Sequence, residues 1–321
     1  MADSESSVVR TRGTVLGLLA ILFWSTTIAF SRLTTEAFGF LTAAAITYAV
    51  AGLISCAVAA LRRRFWLMLQ APRRYLFGCG ALMVAYTVSL YAALGLAPSE
   101  QETVLVGLVN YLWPVLVLVL SVPILGNKWR WALVPGALAG VAGTVLAVVE
   151  VRGLALTDVG KGALAHPLPL LFALVCAVTW GLFSNLSRRW GDPRAPSAMP
   201  LFMLATGAVL WALRPLRAET PHWQPGAVLA LAYVCLFPTI LAYVFWDIAM
   251  RTGHFVIVGS ASYLTPLLST GITCLVLGAM PGPLLWIGAG LVVIGAATCR
   301  LSLVECPGSP SEIPSRGPLR S

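Results

Sequence analysis

Charged residues are scarce in this chain. Asp, Glu, Lys and Arg make up 10% of the 321 residues, whereas hydrophobic types make up 59% and the mean hydropathy is +0.87. A soluble globular protein is usually about one quarter charged. Because no soluble core could hide this much apolar surface, lipid must solvate much of the chain. The net charge of +9 does not indicate nucleic-acid binding, since the charges lie between apolar runs and form no basic stripe.

Patterns for metal binding and nucleophilic catalysis are also lacking. The three histidines flank apolar runs, no His/Glu metal spacing occurs, and no Ser–His or Cys–His pair can be placed within the membrane. The seven cysteines form no CxxC pair, so we interpret most of them as small buried apolar residues. We therefore expect no metal, no cofactor and no enzymatic activity. The histidines are His166, His222 and His254, and the cysteines are Cys56, Cys79, Cys176, Cys235, Cys274, Cys299 and Cys306.

Long apolar runs dominate what is present. A bilayer span needs about 20 apolar residues, and ten runs meet that length within a few residues. The first run has no cleavage motif and has a partner copy later, so we interpret it as a retained span and not a signal peptide. The predicted spans are 14–34, 39–61, 75–97, 103–125, 130–149, 167–187, 196–213, 226–250, 255–277 and 283–303.

The longest polar interruption between these spans divides the chain into two sets of five. We predict a first five-helix repeat over residues 1–149, a linker over 150–166 and a second, inverted repeat over 167–303. Residues 304–321 are rich in Pro, Ser and Gly, which predicts a disordered cytoplasmic tail.

A repeated motif relates the two halves. VGLVNYLWPVL (106–116) returns about 150 residues later as VGSASYLTPLL (258–268), and WSTTIAFSR (24–32) returns more faintly as WGLFSNLSR (180–188). Chance similarity between apolar helices is the alternative, but several helices share consistent offsets. Since five helices is an odd number, the second unit would enter the membrane upside down relative to the first. Such a duplication, with matched helix-breaking prolines, is typical of transporters that alternate access between two sides.

Lys and Arg are distributed unevenly about the spans. If the N-terminus is cytoplasmic, only five of the 21 lie on the outer side of the membrane. The positive-inside rule then predicts that both termini are cytoplasmic. The five outer residues are Arg32, Arg152, Lys161, Arg214 and Arg217.

Tryptophan and tyrosine lie deep within several spans. A buried indole or phenol needs a partner for its polar atom, so these side chains should face a neighbouring helix or a wet cavity and not lipid. Helix packing and a substrate-cavity wall both stay open. The candidates for that wall are Trp24, Tyr86, Tyr111, Trp113, Trp180, Tyr243, Trp246 and Tyr263. Seven other tryptophans fit the interfacial belt: Trp66, Trp129, Trp131, Trp190, Trp211, Trp223 and Trp286.

Pro114 and Pro266 occupy matched positions in the fourth and ninth spans. Proline removes one helical hydrogen bond and frees a carbonyl about four residues earlier, near Asn110 and Ser262. The bend is either a static kink or a gating hinge whose freed carbonyl receives a substrate ammonium. Asn110 and either Ser260 or Ser262 would supply further polar contacts in the second case.

Asp247 is the one carboxylate in the chain that could titrate within the membrane, near the end of the eighth span. It lies four residues before Arg251, so a local ion pair is the simpler interpretation. Proton coupling or binding of a substrate ammonium is the alternative. With so few embedded charges, the chain favours facilitated or loosely coupled movement of a net-neutral solute.

Several of these segments together resemble the drug/metabolite transporter superfamily, EamA type. WSTTIAFSR (24–32), VGLVNYLWPVL (106–116), AYVFWDIAMRTGH (242–254) and VGSASYLTPLLS (258–269) carry the resemblance, which extends over about residues 14–303. It implies ten helices in two inverted five-helix repeats around a central cavity. Asp247 departs from a related exporter of this family, which has an amide at this place in the eighth helix.

The function expected from this resemblance is export of aromatic and other neutral amino acids across the bacterial inner membrane by alternating access. A carrier for another small metabolite or a drug is the alternative. The expected partners are the amino-acid substrate and the bilayer. The small residues of the fifth and tenth spans, including Gly136-x-x-x-Gly140, predict close helix contacts within a monomer or a homodimer.

Overall fold

The computed structural model describes residues 2–97, 99–151, 166–277 and 282–305. Within these ranges, eight helical segments are long and apolar enough to cross a membrane, and two shorter apolar helices cover Leu133–Val149 and Phe255–Ser269. The protein is an all-α polytopic membrane protein. The predicted linker at 152–165 and the predicted tail from residue 306 lie outside the described residues.

The helices follow the apolar runs of the sequence, and two short strands accompany them, one before α8 and one after α15. The strands, β1 (Lys128–Trp129) and β2 (Leu303–Val304), form an antiparallel ribbon that the sequence did not predict. The α-helices are α1 (Ala2–Ser25), α2 (Thr27–Phe38), α3 (Phe40–Leu61), α4 (Phe65–Leu69), α5 (Gly80–Leu96), α6 (Glu100–Asn110), α7 (Trp113–Leu125), α8 (Leu133–Val151), α9 (Pro167–Trp190), α10 (Met199–Leu213), α11 (Pro225–Val234), α12 (Ala242–Thr252), α13 (Phe255–Ala261), α14 (Leu264–Leu277) and α15 (Pro283–Ser302).

Two spans are divided just before a proline. In the fourth span, α6 ends at Asn110 and α7 begins at Trp113, so Pro114 lies in the first turn of α7. In the ninth span, α13 ends at Ala261 and α14 begins at Leu264, two residues before Pro266. Proline lacks the N–H that would continue the helical ladder, which explains both divisions. The matched positions predicted from the sequence therefore coincide with real helix breaks.

Other interruptions were not predicted. The first span divides at Thr26, whose hydroxyl donates to the Phe23 carbonyl at 2.7 Å, whereas the related α9 is continuous. π-helical turns precede α5 at Arg74–Cys79 and join α11 to α12 at Cys235–Leu241. Such turns leave local carbonyls unpaired within the helix and occur frequently at functional sites.

The most extensive contacts between spans of the two halves have counterparts at the corresponding positions of the opposite halves. The first span packs on the eighth through α1 and α12, and the sixth packs on the third through α9 and α5. The second and seventh spans, α3 and α10, pack on each other, as do the fifth and tenth, α8 and α15.

Glycine allows the closest of these contacts. A Cβ added at Gly143 of α8 would lie 2.5 Å from the Gly288 carbonyl oxygen of α15, and one at Gly295 would lie 2.5 Å from the Gly140 amide nitrogen. Only a residue without a side chain lets the two backbones approach this closely. The small-residue faces predicted from the sequence thus meet within one chain.

Side-chain burial fits a lipid environment. The predicted belt residue Trp190 is half-buried, and the other six are exposed by 46% or more of their surface. Four of the five cysteines with described side chains are buried, and all five are unpaired thiols. The six exposed tryptophans are Trp66, Trp129, Trp131, Trp211, Trp223 and Trp286.

Candidate functional site

Six of the predicted aromatic residues converge between the first, third, fourth, sixth and eighth spans. The ring centroid of Trp24 is 5.2 Å from that of Trp246 and 5.5 Å from that of Trp180. We call this group the aromatic cluster, and it is drawn from both halves of the chain. Its members are Trp24, Tyr86, Trp113, Trp180, Tyr243 and Trp246.

The rings meet both face to face and edge to face. Trp180 stacks on Phe183, with centroids 5.0 Å apart and planes at 17°, and on Trp246 at 6.1 Å and 29°. Trp113 meets Trp246 edge-on at 5.5 Å and 85°. Each such pair contributes about 0.5–1.5 kcal/mol beyond the area it buries. The cluster is therefore a tightly packed group of rings within the main hydrophobic core.

Two of the indole N–H groups have the partners that their depth requires. Trp24 donates to the Pro238 carbonyl at 3.0 Å, and Trp246 donates to the Ser184 hydroxyl at 3.1 Å. In the π-helical turn, the Ala242 N–H donates to the carbonyls of Phe237 and Thr239 and not to that of Pro238. Pro238 thereby contributes an acceptor that a regular helix would have used internally.

Phenol groups line one side of the cluster. The hydroxyls of Tyr48 and Tyr243 are hydrogen-bonded at 2.8 Å, and the Tyr86 side chain interacts with that of Tyr243. Tyr48 was not among the predicted wall residues, although its mid-span position was a usable signal. Phe183 and Ser184 were also missed, and both lie within the WGLFSNLSR repeat.

Asn110 lies at the end of α6, where the fourth span divides. Its side-chain oxygen accepts a hydrogen bond from the Cys176 thiol of α9 at 3.1 Å. Its backbone carbonyl would be the acceptor for residue 114 in a continuous helix, but Pro114 has no N–H to donate. Tyr111 lies in the break itself and is half-buried.

Tyr263 lies apart from the aromatic cluster. It is 1% exposed and packs in a second group of buried residues with Leu118, Val292 and Cys299. A Cβ at Gly140 would lie 2.4 Å from its ring, so Tyr263 packs directly against the backbone of α8 in the fifth span. Depth in a span does not reveal which neighbour a ring faces, so the sequence could not separate this tyrosine from the others.

Ser260 and Pro266 belong to the ninth span, on either side of its break. Ser260 is 3% exposed, and its hydroxyl has no hydrogen-bond partner among the described residues. The neighbouring Ser262 hydroxyl donates to the Gly259 carbonyl at 2.6 Å. Ser260 therefore holds a buried hydroxyl that is free to bond elsewhere.

Asp247 sits in a dense buried network one residue from the aromatic cluster. Its carboxylate pairs with Arg251 at 3.0 Å, and the two side chains are 0% and 2% exposed. The carboxylate also accepts hydrogen bonds from the Tyr75 hydroxyl at 2.8 Å and the Ser197 hydroxyl at 2.6 Å. We call these four residues the Asp247 network. The local ion pair is thus present, and both carboxylate oxygens are engaged.

The same end of the molecule carries further links between the spans. Arg251 donates to the carbonyls of Asp192 and Ala195 at 2.6 and 3.0 Å. Arg188 donates to the carbonyls of Met250 and Gly253 at 3.0 and 2.9 Å. Glu305 bonds Arg10, Arg188 and the backbone N–H of Val256, so both ends of the described chain meet here.

A separate polar link involves Glu219, which follows α10. Its carboxylate accepts from the backbone N–H groups of Leu41 and Thr42 at 2.9 and 2.8 Å. Partial burial acts to raise the pKa of this carboxyl, but these hydrogen bonds, that of the Thr42 hydroxyl and the charge of Arg214 outweigh it and lower the pKa. The N-terminus of α3 is therefore held by an ionised carboxylate.

Metal chemistry finds no support in the described residues, where no group of three His, Cys, Asp or Glu side chains lies close enough to hold an ion. The site offers instead stacked rings, a few hydroxyls and a carbonyl left free by proline.

The fold is that of a helical membrane protein, and sequence comparison gives its family. The chain belongs to the EamA-like transporter family, whose model matches residues 11–149 and again residues 167–300. It is therefore a transporter and not an enzyme. The family predicted from the residue motifs is confirmed.

Characterised relatives and a solved structure agree with this assignment. The aromatic amino acid exporter YddG of Ancylobacter novellus is 34% identical and covers 91% of this chain and 98% of that protein. The YddG proteins of Salmonella typhimurium and Escherichia coli K12 are 30% and 28% identical and cover 91% and 92% of this chain. Those alignments span 97% and 99% of the relatives. A crystal structure of a 33% identical protein has a TM-score of 0.75 and matches 91% of this chain and 98% of its own.

Proposed function

We propose that this protein exports aromatic and other neutral amino acids across the bacterial inner membrane by alternating access. The observation that carries the proposal is the aromatic cluster. Trp24, Tyr86 and Trp113 come from the first half of the chain, and Trp180, Tyr243 and Trp246 come from the second. The names of the three relatives support aromatic amino acids as the substrate class.

The cluster suits the two ends of such a substrate. The indole faces of Trp113 and Trp180 would stack on an aromatic side chain, while the hydroxyls near Tyr243 would bond its polar groups. The substrate ammonium would bond the carbonyl of Asn110 that Pro114 leaves free, with Ser260 as a further polar contact. A net-neutral zwitterion needs no opposite charge in the membrane, which fits an Asp247 already paired with Arg251.

We also propose that the chain has ten spans arranged as two inverted five-helix repeats. The first span packs on the eighth as the sixth packs on the third, which supports a pseudo-twofold relation between the halves. The family model matches each half separately, which supports an internal duplication. Five spans in each unit would reverse the direction of the second unit, because consecutive spans alternate in direction.

Movement would be concentrated at the divided spans. Pro114 and Pro266 lie where the fourth and ninth spans have already lost helical hydrogen bonds, so bending there breaks few further contacts. The two halves would rock about the aromatic cluster, opening one end of the site while the other closes. With both termini cytoplasmic, Arg10, Arg188 and Arg251 lie at the cytoplasmic end. We propose a monomer or a homodimer.

Counterflow in proteoliposomes tests this function. Vesicles loaded with unlabelled tryptophan should accumulate labelled tryptophan and phenylalanine faster than protein-free vesicles. Equal rates in both would refute amino-acid transport, and competition only by unrelated drugs or metabolites would favour the alternative substrate class.

Substitution of a single ring tests the site. Trp113→Ala should lower tryptophan transport by about tenfold or more and threonine transport by less, because lost stacking area matters most to the larger ligand. Trp211→Ala is the matched control, since Trp211 is 46% exposed at a span end and lies outside the cluster. Equal losses for both substrates in Trp113→Ala, with normal accumulation of folded protein, would exclude Trp113 from the site.

A further inference from the structure

Positive charge is concentrated in the connection between the second and third spans. Five arginines fall within residues 62–74, and no Asp or Glu occurs anywhere in residues 37–99. The local charge is therefore not neutralised by nearby sequence. We call residues 62–77, which also include α4 and the first part of the following π-helical turn, the basic segment. Its arginines are Arg62, Arg63, Arg64, Arg73 and Arg74.

These arginines are free to bind something outside the chain. All five are exposed, and none of their guanidinium groups has an acidic or carbonyl partner among the described residues. Other arginines in this protein behave differently: Arg188 and Arg251 are 3% and 2% exposed and donate to carbonyls and carboxylates. Unneutralised, neighbouring cations repel one another, so an anion at this place would relieve the repulsion.

The same segment turns apolar side chains outward. Met68 and Ala71 anchor it and are 1% and 7% exposed, whereas Trp66, Leu67 and Phe77 are 71%, 48% and 74% exposed. Exposed tryptophan beside arginine is typical of helices that lie at the boundary between head groups and acyl chains. The segment therefore presents a cationic and an apolar component together.

Arg63 has a backbone conformation that favours glycine. It follows α3 with a φ of 55°, the left-handed conformation that usually falls to glycine after a helix. Its backbone N–H completes the cap by donating to the Ala60 carbonyl at 2.9 Å. Glycine would make the same bond with less strain, so packing and capping do not require the arginine side chain.

We propose that the basic segment is a binding site for anionic phospholipids of the leaflet that it faces. The guanidinium groups bind head-group phosphates, for which the planar fork of arginine is well suited, and Trp66, Leu67 and Phe77 contact the upper acyl chains. Charge complementarity selects anionic lipid over zwitterionic lipid. The connection after α10 is unsuited to this role, because Arg214 donates to the backbone carbonyl of Glu219 at 2.6 Å.

Lipid binding to the purified full-length protein tests the proposal independently of transport. Phosphatidylglycerol and phosphatidylcholine would be titrated into delipidated protein in detergent, with native mass spectrometry reading the bound lipid. Arg63→Gln with Arg74→Gln should weaken phosphatidylglycerol binding about 25-fold, because each arginine near an anionic surface contributes about fivefold to the affinity. Arg12→Gln with Arg300→Gln removes the same charge from exposed residues elsewhere and should change binding less than threefold.

Two further measurements separate a lipid site from a structural role. Arg63→Gly should leave the unfolding temperature in lipid-free detergent unchanged or higher, yet still weaken phosphatidylglycerol binding. The preference of the wild-type protein for phosphatidylglycerol should fall between 0.1 and 0.5 M salt, because exposed charges are screened. Equal effects of the two paired substitutions, no preference for anionic lipid, or a preference that ignores salt would each overturn the proposal.

Discussion

Removing either partner of the Asp247–Arg251 pair should destabilise the protein strongly. The two side chains are 0% and 2% exposed, so the remaining charge would have little access to water. Breaking such a pair from one side costs about 3–5 kcal/mol. We expect Asp247→Leu and Arg251→Met each to lower the free energy of unfolding by that amount. Arg189→Met removes an exposed arginine that donates to the Ile124 carbonyl and should cost about 1 kcal/mol or less.

The double substitution separates the pair from its surroundings. Tyr75 and Ser197 lose their acceptor in Asp247→Leu and equally in the double variant, so their loss cancels in a double-mutant cycle. Replacing both charges by apolar side chains removes the unpaired ion, and the double variant should cost about as much as one single substitution. The coupling free energy should therefore be about 3 kcal/mol or more.

Reversible denaturation in detergent micelles measures these free energies. Additive single costs, or single costs below about 1 kcal/mol, would show that the buried pair is not the main interaction of Asp247. Transport assays then address its second possible role. If Asp247 couples protons, Asp247→Asn abolishes the pH dependence of uptake. An unchanged pH profile would leave the structural ion pair as its function.

Three further predictions concern other contacts. Glu219→Gln should lower the unfolding temperature at pH 7, because the hydrogen bonds to its carboxylate hold the pKa of Glu219 below the usual value of a glutamate. The difference from wild type should begin to shrink as the pH falls below about 4.3, the pKa of an unfolded glutamate, and should be lost once the folded carboxylate is protonated. A difference that stays constant as the pH falls through the acid range would contradict this. Gly143→Ala should cost about 1–3 kcal/mol of unfolding free energy, because its Cβ would lie 2.5 Å from the Gly288 carbonyl oxygen. The matched Gly290→Ala, which meets nothing within 4 Å, should be nearly neutral, and equal effects would refute the close approach. Trp24→Phe should cost about 1 kcal/mol or more in the same assay, since the Pro238 carbonyl loses its donor, and an unchanged stability would show that this bond contributes nothing.

Much of the fold could be predicted because lipid imposes simple requirements. Apolar runs of bilayer length and prolines without an N–H act through local chemistry, so the breaks at Asn110 and Ala261 could be expected before Pro114 and Pro266. The break at Thr26 could not. No proline lies beside it, and the Thr26 hydroxyl bonds Tyr233 of the eighth span at 2.8 Å, a contact that exists only after folding.

The candidate site divides in the same way. Depth within a span identified Trp24, Trp113 and Trp180 as buried rings that needed partners, and they do lie together. Depth alone could not show that Tyr263 lies outside the aromatic cluster. Residues along a helix face different neighbouring helices, and a single sequence does not reveal which helix each residue faces. Tyr48 was left out for the converse reason, since its partner Tyr243 is distant in sequence.

Composition and the apolar runs by themselves determined that this chain is a helical membrane protein, and the resemblance of its motifs to known sequences indicated the EamA-like family. Those properties depend on the number, length and order of apolar segments, which are written along the chain. Tertiary structure alone decided that Asp247 is shielded by Tyr75, Ser197 and Arg251. It also decided that the arginines of the basic segment have no side-chain partner among the described residues. The reason is physical: the energy of a charge depends on what surrounds it in space, and residues distant in sequence provide those surroundings.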